Sequence, residues 1–326
     1  MLTDLKTIAT MLENGKSLIL AGDERMLRQL PKGQWIGGTI PYFMSESGGV
    51  TTQDGIYVSE LPSVATSVRI GVYDAHTLPS IASTTPDDGY TVLIIPAFSK
   101  VHEQYALEAR TYEDMFLRVV AGWISGVHLN ELGKASPLVF DGTTGNAYDD
   151  CGVAIHVRLP SNLQAILGIV NIFEPGSGDD IEFEASGFQA KTCIVNGKQR
   201  GIVEYIETAH LDTRLPLVAS YMGTHVNVSI QSLESGVAKF YAPVFKDVKY
   251  RWAKPVGAYP SEFAAAIPTK LDPPVFSCNC ILNYLYGELE NHRTGALTGP
   301  MTFGEIGYQL LNQTLVYVSL VPQSGT

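Results

Sequence analysis

Positive charge is scarce in this chain. Its 326 residues carry 22 Lys and Arg against 33 Asp and Glu, a formal net charge of −11. A nucleic-acid surface needs clustered Lys and Arg to neutralise phosphates, and an anionic bilayer attracts polybasic segments. Neither feature is found. Long hydrophobic runs are missing too. Stretches such as Tyr90 to Phe98 (YTVLIIPAF) fall far short of the ~20 residues that span a bilayer. The first residues, MLTDLKTIATMLENGK, place Asp4 and Glu13 where a signal peptide has an apolar core. Four cysteines do not make a disulfide scaffold. Cys278 and Cys280 are two apart and share one face of a strand, a poor placement for bridging each other. The expectation is a reduced, cytoplasmic protein with no nucleic-acid or membrane partner.

Familiar catalytic signatures are also missing. No G-x-S-x-G elbow is present, and no Ser/His/Asp arrangement stands out. Gly37-Gly38-Thr39 is not followed by Gly-Lys-Ser/Thr, so it is no nucleotide-hydrolase phosphate loop, and no G-x-G-x-x-G opens a βαβ unit. The seven histidines are scattered without metal-binding spacing, and none flanks Cys151 or Cys193. The sequence therefore names no metal, and the cofactor is left unknown. Acidic residues at Asp179, Asp180, Glu182 and Glu184 alternate with apolar ones, as on a solvated strand face.

What is present is a large apolar fraction, 45%, against 17% charged residues, enough for a substantial core. Single cores stop growing near ~250–300 residues, so the length points to about two domains. Leu2, Leu5, Ile8, Ala9 and Leu12 have helical spacing, and Asp23 caps a short helix that Pro31 ends. Ser17 to Ala21, Trp35 to Met44, Gly55 to Leu61, Val68 to Tyr73 and Tyr90 to Phe98 are expected strands. Val101 to Val127 is expected to be helical. Gly152 to Leu159 alternates as a strand does, and Asn196-Gly197 signals a hairpin. The expected boundary lies near Pro160 and Ser161, giving domains 1–162 and 163–326. The expected fold class is α+β, two layered α/β sandwich-like halves with mixed, largely antiparallel sheets.

Several residues carry two readings each. Cys278 and Cys280 precede a helical stretch, where a thiol becomes nucleophilic, or they are small core residues. Glu305, framed by Gly304 and Gly307, accepts hydrogen bonds from a ligand or from backbone N–H groups across a turn. Gly37, Gly38 and Thr39 cradle an anion with backbone N–H groups, or serve close sheet packing. Tyr42, Phe43, Tyr221, Tyr284 and Tyr286 line an amphipathic pocket, or belong to the core.

The order SLILAG, ERMLRQLP, GQWIGGTIPYFM and DGIYVSEL, followed by CIVNGKQRGIVEYIE, LPLVASYMG and the Cys278 segment leading into GPMTFGEIG, resembles the FIST (F-box and intracellular signal transduction) domain family. The resemblance implies a small-molecule sensor that does not turn its ligand over, with output through a separate signalling protein. On that basis the expected ligand-binding residues are Gly37, Gly38, Thr39, Tyr42, Cys278, Asn279, Gly304 and Glu305, lining a cleft between the halves. The ligand is a metabolite of unknown identity. The alternatives are a cysteine-dependent enzyme using Cys278 or Cys280, and a protein-interaction scaffold.

Overall fold

A computed structural model describes residues 1–221, 224–269, 272–295 and 297–323, except for the side chains of Tyr221 and Thr224. The expected Tyr221 contact therefore lies outside the described side chains. Strands hold 41% of the chain and helices 17%, in mixed and antiparallel sheets. The mixed, largely antiparallel sheets are as expected, but the balance is more β-rich than an even α+β sandwich. Much of the difference comes from 101–127. There the helix stops at Glu108, two 3₁₀ turns follow, and Val120–Ser125 is a strand buried along its whole length. Apolar runs of that length fit a buried strand as well as a helix, and long-range pairing decides between them.

The described strands form four six-stranded sheets and one of three strands. The first sheet places Leu18–Gly22 parallel to Trp35–Thr39, with Val139–Asp141 on the far side. The second sheet has Gly89–Pro96 at its centre, parallel to Val120–Ser125 and antiparallel to Gly152–Arg158. Glu305–Gly307 and Gln309–Leu311 extend it beyond Val120–Ser125. In the third sheet Phe276–Cys280 lies between Leu315–Pro322 and Gly299–Thr302, and Tyr42–Ser45 joins at the edge of that group. The second and third sheets thus draw strands from both sides of residue 162. The largest core cluster does likewise, packing Ile36, Phe43 and Trp123 with Phe276, Met301 and Val318.

Local chemistry fixes the ends of the elements. Asp4 caps Leu5–Glu13 by accepting from Thr7 N at 2.8 Å, and Asp23 caps Glu24–Leu27. Asn196 and Gly197 both take positive φ, joining Thr192–Val195 to Lys198–Gly201 as the tight hairpin their sequence signals. Among the described residues no helix is long and apolar enough to cross a membrane.

The element that positions the site is the turn after Gly89–Pro96. This strand is buried at every position, a β-branched and aliphatic run covered on both faces. Pro96 carries no N–H to continue the ladder, and the chain turns through Ala97 and Phe98. Ser99 then caps the helix Lys100–Glu108. Its hydroxyl donates to Pro96 O at 2.7 Å and accepts from His102 N at 3.1 Å. The result is a strand, helix and parallel strand in succession. Ligands in such units gather beyond the carboxyl ends of the strands.

Candidate functional site

The eight residues expected to bind ligand sit in closely packed surroundings, grouped around the strand Val120–Ser125. A Cβ on Gly38 would meet the Trp123 ring at 2.7 Å and Ile94 at 2.8 Å, so the glycine admits the indole between two sheets. Gly37 would meet Leu20 O at 3.3 Å. Thr39 Oγ1 accepts from Leu138 N at 2.9 Å, and its carbonyl accepts from Gly126 N at 2.7 Å. Tyr42 is buried, accepts from Leu129 N at 2.9 Å, and stacks on His128. On the other side of the strand, Cys278 Sγ donates to Gly122 O at 3.2 Å. Gly304 takes φ +153 beside Ile124 and Leu310.

Glu305 is fully buried and pairs in register with Trp123. Its Oε2 accepts from Thr314 Oγ1 at 2.8 Å and Thr314 N at 3.4 Å, and its Oε1 accepts from Thr302 Oγ1 at 3.3 Å. Burial pushes this carboxyl up to about 8, although the bonds from Thr314, Cys280 and Thr302 pull the other way. Asn279 Oδ1 accepts from Asn283 Nδ2 at 2.8 Å, and Asn283 accepts in turn from Tyr259. The thiols of Cys278 and Cys280 are raised well above the ordinary range, first by burial and then by the charge of Glu305. That is the opposite of the shift an activated nucleophile needs.

A cavity of about 390 Å³ lies elsewhere, beyond the carboxyl end of Gly89–Pro96. This is the size of small-ligand sites in general. Its walls are mainly apolar, with Phe188, Phe240, Ile281, Leu282, Leu285 and Phe303 prominent among them. Of the eight expected residues none lines it, although Cys280, beside Asn279, does. Thr39 borders a separate polar recess with Asp23, Gln53 and Glu131. The aromatic residues Tyr42, Phe43, Tyr284 and Tyr286 do not line the cavity either.

His102 is one of several polar residues in this wall, with Glu103, Gln231, Tyr241 and Asn312. It is 8% exposed, and its Nδ1 accepts from Phe98 N at 3.3 Å. That bond requires a lone pair on Nδ1, so the neutral ring carries its proton on Nε2. Burial lowers this imidazole to about 4 and keeps it neutral at ordinary pH. Nε2 has no hydrogen-bond partner. Other buried polar atoms share that lack, such as Trp123 Nε1, Tyr90 Oη and Asn279 Nδ2, but their side chains do not border this cavity. Phe98 stands at the opening with φ 65, a conformation bulky residues rarely adopt.

Nothing in the sequence sets His102 apart from the other six histidines. The usable signal was the buried run YTVLIIP followed by a serine cap, which marks a strand passing into a helix.

Comparison with curated proteins finds no match. The resemblance to FIST proteins is corrected by comparison with protein families, in which no FIST domain is found; short strands punctuated by glycine recur in many β-rich folds, and their order alone misled. Residues 3–321 instead match DUF6976, a family of unknown function, and the chain belongs to that family.

Proposed function

We propose that this protein binds a small, uncharged and largely apolar molecule in the cavity beyond Pro96, without turning it over. The observation that carries the reading is the mainly apolar cavity of about 390 Å³ beyond the carboxyl end of Gly89–Pro96, with a neutral His102 in its wall. The rest of the lining supplies apolar area and excludes water.

The nearby groups favour holding over chemistry. The Ser99 hydroxyl is occupied in the helix cap. An imidazole lowered to about 4 is a poor base at neutral pH. A second reading, an enzyme using Cys280, draws on the thiol's place in the cavity wall and its bond to Glu305. Its raised thiol leaves it the weaker of the two.

The test is a thermal-shift screen with neutral carbonyl compounds such as acetophenone, beside amino acids, organic acids and nucleotides. A ligand at ~100 times its dissociation constant adds about 2.7 kcal/mol. Stabilisation by the neutral carbonyl compounds is expected. The Leu285→Trp variant, made at a 40% exposed wall position, fills the cavity and should bind acetophenone about tenfold more weakly. Absence of any shift, or equal binding by the variant, overturns the reading.

A further inference from the structure

The cavity does not stop at Phe98. A second hollow of about 640 Å³ opens on the outer side of the same turn, and Ala97, Phe98, Ser99, Leu132 and Gln231 line both. The two hollows differ in chemistry. The inner one is walled by aliphatic and aromatic side chains. The outer one is bordered by the segment 132–137, with Lys134 and Ser136, and by Asp149 and Gln231. Lys134 and Asp149 carry opposite charges, so the outer hollow favours neither sign. Exposed apolar side chains concentrate at the openings: Phe98 is 65% exposed, Leu132 44% and Leu285 40%. Phe98, held at φ 65, forms the neck between the hollows, and strained backbone of this kind gathers at ligand clamps.

We infer that the two hollows form one site for an amphiphile, a monoacyl ester or amide with an uncharged head. This rests on the binding role proposed above and names its ligand class. The acyl tail fills the inner hollow, against Phe188, Phe240, Ile281, Leu282 and Phe303. The ester or amide carbonyl lies at the neck, beside Phe98 and Ser99, which border both hollows. The head carries hydroxyl or amide groups into the outer hollow. There Gln231, bordering both spaces, offers a donor and an acceptor. An anionic head would meet Asp149 and, at the inner wall, Glu103, in a chain of net charge −11. A cationic head would meet Lys134.

The experiment is calorimetric titration of the full chain, below micelle-forming concentrations. Its probes are 1-monodecanoylglycerol, decanoate and acetophenone. Monodecanoylglycerol should bind at least tenfold more tightly than decanoate, which has a similar tail and a charged end. Ser136→Trp, made at an exposed position, fills the outer hollow. It should weaken monodecanoylglycerol at least tenfold while the ligand-free melting temperature stays that of the parent. If decanoate binds as tightly, or if Ser136→Trp leaves monodecanoylglycerol unaffected, the amphiphile is overturned. Acetophenone binding would then still uphold the small-ligand reading. If none of the three probes binds, both fall.

Discussion

Glu305 and His102 are both buried ionisable groups held neutral by their surroundings, yet their neighbourhoods have opposite consequences. Around Glu305 each carboxyl oxygen has a hydroxyl partner, and Thr314 N adds a backbone donor. The strands on either side leave no space, as the 2.7 Å approach to Trp123 at Gly38 illustrates. Around His102 one ring nitrogen is used, the other is buried without a partner, and the side chain borders a hollow of about 390 Å³. A buried polar group whose oxygens both find partners in a closely packed setting specifies a fold. One with an open valence beside empty space awaits something else. Burial and a shifted pKa alone do not separate the two cases; hydrogen-bond accounting together with room does.

Among substitutions compared at a single pH, the largest expected effect tests whether the first neighbourhood is closed. Gly38→Val should destabilise the chain by roughly 3 kcal/mol, the upper range for overpacking. Two Trp123 ring carbons and Ile94 Cγ2 stand within 3.0 Å of the new Cβ, and the indole is fully buried. Chemical denaturation measures this directly. A loss below about 1 kcal/mol would mean that the glycine strand has room after all, and would reopen its expected role as a ligand cradle.

The second test uses pH. Glu305 titrates near 4.5 when unfolded and at about 8 when folded. Between these values the native chain keeps a proton that the unfolded chain has released, so stability contributed by this group falls as pH rises. The contribution is fully present below about 4.5 and gone above about 8. The slope is at most about 1.4 kcal/mol per pH unit. Glu305→Gln is neutral throughout and keeps an acceptor for Thr314. Its stability relative to the parent should therefore rise steadily from pH 5 to pH 8. A relative stability independent of pH would show that the carboxyl is already ionised, and that its surroundings are wetter than the geometry indicates.

These two positions were visible in the sequence because Glu305 stands between glycines and Gly38 follows another glycine in an apolar run. Local pattern also revealed the Asn196-Gly197 hairpin, the Asp23 cap, and most strands. It misjudged Val120–Ser125, whose identity as a strand comes from pairing with Gly89–Pro96 and Glu305–Gly307. The cavity was illegible for a related reason. Its wall joins Phe98 and His102 to Leu132, Phe188, Gln231 and Cys280, residues that share no spacing and meet only in the folded chain. The sequence drew attention to Cys278 and Asn279 as ligand contacts, and to Cys280, which does border the cavity, as an alternative nucleophile.

The smallest expected effect lies at Phe98, where the open neighbourhood meets solvent. Its φ of 65 costs a bulky side chain something that glycine does not pay, while glycine loses more conformational entropy on folding. Phe98→Gly also gives up the edge-to-face contact with Phe303, whose ring centre is 6.2 Å away. That contact is worth about 0.5–1.5 kcal/mol in well-packed settings and less at a side chain 65% exposed. The gains and losses nearly offset, so stability should change by less than about 1 kcal/mol in either direction. The contrast with Gly38→Val is then threefold or more, although both changes exchange glycine with a larger residue. Thermal and chemical denaturation of the two variants side by side measure it. If Phe98→Gly instead destabilises as much as Gly38→Val, the turn after Pro96 is a packed structural element, and the hollow behind it loses its claim to be an open site.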